Sequence, residues 1–238
     1  MLENISKFRF LTLYVFVAIL ELLIDSFVLP TESLRFFTKP ALMLLLIFFV
    51  IDNLQKNERS KLIYALFFAW LGDVFLLFSA PFFFPLGLLS FLVMQIIYIR
   101  MFSEELFGFS KNLLLNLIML ILILVYVLFL LKILWPGVST ELSIPVVVYA
   151  LALGSMAYFA FLRKAVASNL NFKLVFVGAI LFVISDSLLA INKFYQSFSG
   201  NSFWVMGTYI LAQLLLSVGL VNFAICKRLD IHESGKYN

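Results

Sequence analysis

The segment FFAWLGDVFLLF, Phe67 to Phe78, places the carboxylate of Asp73 inside a run of residues that otherwise suits hydrocarbon. A charged aspartate at the centre of a bilayer costs about 3 kcal/mol or more, so it requires partners or a function. The rest of the chain has the same character, since its 238 residues are 64% hydrophobic and 13% charged, with a mean hydropathy of +1.10. No water-soluble domain can cover such a composition with polar surface, and we therefore expect an integral membrane protein.

Polar residues and Pro/Gly breaks divide the chain into eight apolar stretches, most of them near the ~20 residues that a spanning helix needs. They are roughly Phe8 to Leu29, Pro40 to Ile51, Lys61 to Ser79, Phe84 to Phe102, Leu113 to Leu131, Ile144 to Leu162, Phe172 to Asn192 and Phe203 to Cys226. The second stretch is short and could begin earlier, around Phe36. None shows the alternation of a membrane β-barrel, so the sequence predicts one all-α domain over residues 1–238, a bundle of eight transmembrane helices.

The distribution of basic residues predicts the orientation of this bundle. With eight spans, only Arg35, Lys39, Lys132 and Lys193 of the 17 Lys and Arg residues fall on the side opposite the termini. The positive-inside rule therefore predicts that both termini are cytoplasmic. The basic residues are spread over several short loops, so the pI of about 9.1 does not indicate a nucleic-acid partner.

A weak internal similarity suggests a parallel four-plus-four repeat. The third span contains LGDVFL (71–76) and the seventh ISDSLL (184–189), each an aspartate after a small residue. Thr38 and Ser143, each followed two residues later by a proline, are expected to cap the second and sixth helices. Such short matches also arise by chance in apolar sequence, so both readings stay open.

Five ionisable residues are expected at a similar depth. Helical rise places Asp73 and Asp186 roughly 18 Å above the inner ends of their spans, past the midplane. Glu21 and Asp25 lie at comparable height in the first span, and Lys39 enters the second from the same side. The alternatives are an interfacial position for Glu21 and Asp25 and an outward-pointing anchor for Lys39. Ionisable groups inside a membrane are functional by default, which makes the two aspartates the leading site candidates.

Further polar residues could complete a pocket, or could only link helices by hydrogen bonds. Tyr209, Gln213 and Ser217 follow one face of the eighth span, and Gln95 and Tyr98 share a face of the fourth. In the seventh span, Ser185 and Asn192 follow Gly178 at helical spacing, on a face suited to close packing.

These residues lie in motifs that resemble those of the YhhN-like membrane proteins, whose animal members are lysoplasmalogenases. The motifs are TKPALMLLL (38–46), WLGDVFLLF (70–78), PLGLLSFLVMQIIYI (85–99), FVGAILFVISDSLLAINKF (176–194) and GTYILAQLLLSVG (207–219). Each motif is short, but their order and spacing match over most of the chain.

The resemblance implies an eight-helix enzyme that cleaves the vinyl-ether bond of lysoplasmalogens, releasing a fatty aldehyde and a glycerophospho-alcohol. By position, Lys39, Asp73 and Asp186 correspond to the family's KP lysine, GD aspartate and SD aspartate. The family pattern commonly has a histidine where this chain has Gln95, so any role that needs imidazole there fails. The family includes many bacterial members, and we expect this protein in a bacterial inner membrane.

Vinyl ethers are hydrolysed by acid, through protonation of the alkene carbon and an oxocarbenium ion. An enzyme therefore needs a proton donor and an anion, and two carboxyl groups in unlike surroundings can divide these roles, as in glycosidases. We expect Asp73 and Asp186 to be this pair, without assigning which is the acid. Lys39 would bind the substrate phosphate. Glu21, Asp25, Gln95, Tyr98, Ser185, Asn192, Tyr209 and Gln213 are further candidates for substrate contacts.

The sequence leaves other functions open. A transporter or lipid-binding protein could use the same buried polar pocket, and a family member with Gln95 could bind lipid without reacting. We expect a lipid substrate and no cofactor or bound metal. The head group, the hydrocarbon chain and the oligomeric state are not specified by the sequence.

Overall fold

The computed structural model describes the backbone of residues 2–25, 32–106 and 112–234, and side chains within residues 9–24, 33–106 and 112–229. Within these residues the chain forms eight α-helices and no β-strand. The helices are α1 (Leu2–Asp25), α2 (Glu32–Asn53), α3 (Lys56–Phe75), α4 (Phe83–Glu105), α5 (Leu113–Leu134), α6 (Thr140–Leu162), α7 (Asn169–Phe194) and α8 (Asn201–Ser234). Short 3₁₀ turns, Trp135–Gly137 and Arg163–Ala165, follow α5 and α6.

Six of these helices, α2 and α4 to α8, are long and apolar enough to cross a membrane. Helices α1 and α3 have similar lengths, 24 and 20 residues. The prediction of an all-helical integral membrane protein is therefore confirmed, with the membrane-crossing composition shown for six helices.

Neighbouring helices in the chain run in opposite directions, so the bundle has two distinct ends. Late α1 meets early α2 through a hydrogen bond from Thr38 to Glu21, and early α1 meets late α2 through the Arg9–Asp52 ion pair, 4.0 Å. At one end, which we call the cavity end, α1, α3, α5 and α7 finish and α2, α4, α6 and α8 begin. The four basic residues that the sequence separated from the rest all lie at this end: Arg35, Lys39, Lys132 and Lys193.

The bundle closes by packing its first helix against its last. The hydroxyl of Tyr14, fully buried in α1, donates a 2.8 Å hydrogen bond to the carbonyl oxygen of Ile210 in α8. The most extensive contact between two helices is that of α7 with α8, where a β-carbon at Gly178 would lie 3.0 Å from Cγ of Leu216. Small residues thus permit close helix approach, as the sequence predicted.

The predicted helix starts at Thr38 and Ser143 are wrong. Helix α2 begins six residues before Thr38, and the residue that precedes α6 is Ser139, so Pro40 and Pro145 lie inside their helices. The hydroxyl of Thr38 donates to the carbonyl of Leu34 within α2, at 3.1 Å, instead of capping an N-terminus. Pro40 and Pro145 each leave the carbonyl oxygen four residues earlier without its helical donor, a loss that membrane helices tolerate where hydroxyl side chains or neighbouring helices supply other contacts.

Helix α5 has most of its side chains exposed, as expected for a lipid-facing helix. Its buried residues, Val127, Leu130 and Leu134, lie along one stripe toward its C-terminal half. That stripe packs toward α6 and α7.

The turn after α5 is fixed against α7 by a glycine that has no space for a side chain. A β-carbon at Gly137 would fall 1.6 Å from the carbonyl oxygen of Phe194. We therefore expect Gly137→Ala to force the turn away from α7 and lower stability by about 1 to 3 kcal/mol. The measurement is the apparent midpoint of thermal unfolding in detergent.

Gly207→Ala is the matched control, since its β-carbon would lie an ordinary 3.8 Å from Leu22. Equal midpoints for the two variants would contradict the close packing of the turn on α7.

Candidate active site

A cavity of about 300 Å³ opens at the cavity end of the bundle. It is bounded by early α2, late α3 and the turn after it, early α4, late α7 and early α8. Its charged lining residues are Arg35, Lys39, Asp73, Asp186 and Lys193. The two aspartates that the sequence singled out, on α3 and α7, therefore face one shared space.

Asp73 lies in the last turn of α3, where both of its carboxylate oxygens have partners. Nζ of Lys39 is 3.7 Å from Oδ1, and the hydroxyl of Tyr209 donates a 2.7 Å hydrogen bond to Oδ2. All three side chains are almost completely buried. The cation and the phenol both favour the charged form of this buried carboxyl group.

Asp186, in the late part of α7, has neutral partners instead. The hydroxyl of Tyr149 on α6 donates to Oδ2, and Nε2 of Gln95 on α4 donates to the same oxygen over a longer 3.4 Å. Within the described side chains, neither donor engages Oδ1, and no basic side chain is paired with this carboxyl group. The two aspartates thus share a cavity but differ in their contacts.

Glu21 supports the wall of the cavity without lining it. It is fully buried in α1 and accepts hydrogen bonds from Thr38 and from Nε of Arg35, the latter at 3.3 Å. Because Thr38 precedes Lys39 directly, these bonds help to hold the lysine over the cavity. Asp25, the other acidic candidate in α1, has its side chain outside the described residues.

Ser185 and Asn192 on α7 both line the cavity, as the sequence suggested. The hydroxyl of Ser185 donates to the carbonyl of Val205 on α8, 2.9 Å, and Oδ1 of Asn192 accepts from Nδ2 of Asn201, 2.6 Å. Both residues therefore join α7 to α8 while presenting polar atoms at the cavity.

Tyr98 and Gln213 lie away from the cavity and contact each other. The hydroxyl of Tyr98 donates to Oε1 of Gln213 over 3.2 Å, while Nε2 of Gln213 faces Sδ of Met94 at 3.3 Å. These two candidates form an interhelical contact between α4 and α8, which is the alternative that the sequence left open.

Sequence reasoning did not identify Tyr149, Arg35 or Lys193 as site residues. Lys193 lies one turn after Leu189, another lining residue, with its Nζ 5.0 Å from the ring centre of Phe84. Tyr149 lies about as far from the end of its helix as Asp186 does, so the same rise-per-residue argument could have found it. Arg35 and Lys193 lie about one to two turns nearer the ends of α2 and α7. Tyr149 was missed because α6 otherwise offers almost no polar side chain at that depth.

A second, smaller space adjoins the cavity. It measures about 40 Å³, lies between α4, α5, α6 and α7, and is lined by apolar side chains apart from Tyr149 and Asp186. Asp186 borders both spaces, as do Leu76, Phe84, Phe91 and Leu189. The carboxyl group of Asp186 therefore stands at the boundary between a polar and an apolar compartment.

The sequence matches the YhhN family over residues 34–220. The chain belongs to the YhhN family. Two curated relatives carry the name lysoplasmalogenase TMEM86A: that of Bos taurus is 28% identical and that of Homo sapiens 31% identical over 171 residues. Each match covers 71% of this chain and 68% of the relative. No solved structure matches the chain.

This membership confirms the family suggested by the sequence motifs. The matched range of this YhhN protein includes Lys39, Asp73, Tyr149 and Asp186, together with every other residue named as lining the cavity. Glu21, in α1, falls outside it. Among the described side chains no cluster of three or more His, Cys, Asp or Glu residues could hold a metal ion.

We expect the stability of the protein to depend on the ion pair between Lys39 and Asp73. Lys39→Met leaves the charge of Asp73 buried without its cation, and we expect a loss of about 3 to 5 kcal/mol. The double variant Lys39→Met/Asp73→Asn removes both charges and should recover much of this loss. The measurement is the apparent midpoint of thermal unfolding in detergent.

Lys132→Met is the control for removing a lysine at the same end of the bundle, because Lys132 is exposed and does not line the cavity. If the decrease in the unfolding midpoint of the double variant equalled the sum of the decreases for Lys39→Met and Asp73→Asn, the two side chains would not interact.

Proposed function

We propose that this YhhN protein is a membrane hydrolase that cleaves the vinyl-ether bond of lysoplasmalogens or closely related lysophospholipids to a fatty aldehyde and a glycerophospho-alcohol. Family membership and the name of its curated relatives support a lysoplasmalogenase-like hydrolase. The observation that carries the proposal for this chain is the unequal pair of aspartates in one cavity.

The contacts of the two aspartates suggest which one is the acid. Asp73 has a lysine on one oxygen and a phenol on the other, an arrangement that favours the charged carboxylate more than the contacts of Asp186 do. Asp186 receives two neutral donors on Oδ2, which suits the carbonyl oxygen of a protonated acid and directs its proton to Oδ1. We therefore assign Asp186 as the proton donor and Asp73 as the anion.

The reaction then proceeds by general acid catalysis. The proton on Oδ1 of Asp186 moves to the alkene carbon one position beyond the carbon bonded to the ether oxygen, and an oxocarbenium ion forms. The Asp73 carboxylate stabilises this cation, as the second carboxylate does in glycosidases. Water adds to the cationic carbon and gives up a proton that restores Asp186. In the resulting hemiacetal the bond from carbon to the glycerol oxygen breaks and the hydroxyl proton passes to that oxygen, which releases the aldehyde and the glycerophospho-alcohol.

The cations at the cavity would bind the phosphate of the substrate. Lys39 is held by Asp73, and Arg35 by Glu21, whereas Lys193 contacts the ring of Phe84. Lys193 and Lys39 lie on helices α7 and α2, which both border the cavity. A phosphate placed among these groups would leave the rest of the lipid directed toward Asp186.

The proposal includes the orientation that the charge distribution predicts. Helices α1 and α3 would cross the membrane with the other six, their ionisable residues being paired inside the bundle or lying near its ends. Both termini would be cytoplasmic, so the cavity would open on the outer side of a bacterial inner membrane. A substrate in the outer leaflet could then reach it directly.

The predicted four-plus-four repeat is also part of this proposal, because helix contacts support it. Helix pairs α1–α2, α2–α3, α3–α4 and α2–α8 have counterparts in α5–α6, α6–α7, α7–α8 and α6–α4. Each aspartate takes one donor from its own half, Lys39 or Tyr149, and one from the other half, Tyr209 or Gln95.

The catalytic pair generates the main test. We expect Asp186→Asn to lower vinyl-ether hydrolysis by roughly 100-fold or more, since it removes the acid while its neutral donors remain. Asp73→Asn should lower it as well, and also destabilise the protein by leaving Lys39 unpaired. The measurement is aldehyde release from lysoplasmalogen by purified protein, with ordinary lysophospholipids and alkyl-ether analogues as substrates that should not react.

Glu104→Gln is the matched control, because this acidic residue is exposed at the opposite end of α4.

In D₂O the released aldehyde, trapped at once by reduction, should carry deuterium on the carbon next to the carbonyl. Full activity in both aspartate variants, or aldehyde without that deuterium, would rule out the proposed mechanism.

Lys193 provides a separate test of phosphate binding. We expect Lys193→Gln to raise KM for a lysoplasmalogen roughly tenfold, as for the loss of one charge-assisted hydrogen bond, with little change in kcat. Lys132→Gln, which removes an exposed lysine away from the cavity, should leave KM unchanged. Equal KM values for both variants would exclude Lys193 from the phosphate site.

A further inference from the structure

The apolar space beside the cavity has a shape that suits one particular part of a lipid. It lies between α4, α5, α6 and α7, with walls formed by Leu88, Leu130, Leu134, Val146, Ala150 and Leu153. These residues offer no hydrogen-bonding side chain, so water gains little by entering. A hydrocarbon chain can occupy this space without leaving any hydrogen-bonding group unpaired.

The two spaces meet at a single acidic side chain. Five residues line both, and among them Asp186 is the one with a polar side chain. On one side of it lie the cations Arg35, Lys39 and Lys193, and on the other lie only aliphatic and aromatic groups apart from Tyr149. An amphiphile with its phosphate on the first side and its hydrocarbon on the second would place the junction between them beside Asp186.

We propose that this pocket receives the first carbon atoms of the substrate's hydrocarbon chain, counted from the ether oxygen, and so determines which bond of the lipid meets Asp186. The inference rests on the proposed function, because that function identifies the ligand as a single-chain phospholipid. It makes Ala150, Val146 and Leu130 specificity-determining residues, since their side chains set the width of the pocket.

The volume of the pocket limits how much of the chain it holds. About 40 Å³ is a few times the roughly 10–15 Å³ that one water molecule requires. Only the carbons nearest the ether bond fit, and the remainder of the chain must leave between the helices toward the membrane. The pocket therefore selects for an unbranched, narrow chain at its head-group end rather than for total chain length.

The test uses a saturated alkyl-ether lysophospholipid with a diazirine on a carbon close to the ether oxygen, incubated with the full-length protein in detergent. This probe cannot be hydrolysed, so its binding does not depend on catalysis. Irradiation followed by peptide mass spectrometry should place the label on the pocket walls, within α6 near Tyr149–Leu153 or α5 near Leu130–Leu134. Label confined to outward-facing residues, such as Phe37 or Phe48 on α2, would overturn the inference.

Two alanine-to-leucine variants of α6 provide a second measurement of the same inference. Ala150 is buried in the wall, and Ala150→Leu should reduce specific labelling roughly tenfold by filling the pocket. Ala152→Leu adds the same side chain two residues further along α6, outside the pocket lining, and should label like the unmodified protein. Equal labelling of the two variants would also overturn the inference.

The same experiment separates this inference from the proposed function. Label on the pocket walls in a protein that releases no aldehyde from lysoplasmalogen would support the chain site and refute the hydrolase. Aldehyde release with label only outside the pocket would refute the chain site alone.

Discussion

The structure of this site depends on hydrogen bonds to two carboxyl groups that lie inside an apolar bundle. An isolated charged carboxylate in such surroundings would be strongly destabilising. Each aspartate therefore needs partners from at least two other helices, and those partners fix how the helices meet. Asp73 connects α3 to α2 and α8, and Asp186 connects α7 to α6 and α4. The contacts that join these helices are therefore the same contacts on which the proposed chemistry depends.

The opposite end of the bundle contains a buried ion pair that serves packing instead. Arg163, fully buried after α6, donates through Nε to Glu105 at 2.5 Å and lies over the rings of Phe102 and Phe223. Its remaining nitrogen atoms have no hydrogen-bond partner among the described residues. Here a cation is held between aromatic faces with its acid, which joins helices α4, α6 and α8. The two opposite charges are in direct contact, whereas the two aspartates at the other end face a shared cavity.

The sequence predicted the depth of the site residues along their helices better than it predicted which side chains contact each other. Helix rise and alternating direction were sufficient to place Asp73, Asp186 and Lys39 at one depth, because a continuous transmembrane helix converts residue number into height. The direction in which each side chain points around its helix axis was predicted less well. Gln95 and Tyr98 share a face, yet only Gln95 reaches Asp186, since Tyr98 lies almost one turn further from the cavity end. Which partner a polar side chain finds depends on the neighbouring helices, and one sequence does not contain their arrangement.

Helix starts were predicted poorly for a related reason. The proline rule placed the beginning of α2 near Pro40, but the helix begins at Glu32. The residues before the proline include Arg35 and Thr38, whose contacts with the buried Glu21 hold the first turns of α2 against α1. Tertiary contacts thus outweighed a local preference. The extra turns are what bring Arg35 to the cavity.

The difference between the two aspartates follows from one position in the proposed repeat. Lys39 precedes Pro40 in α2, and the corresponding residue before Pro145 in α6 is Ile144, which is largely exposed. The second half therefore has no cation to offer Asp186, and Tyr149 on the next turn of α6 supplies a neutral donor in its place. Two carboxyl groups with identical partners would compete for a single protonation state and could not act as acid and anion together. In the proposed repeat, an isoleucine in place of a lysine at one equivalent site would divide the proposed acid and anion roles between the halves.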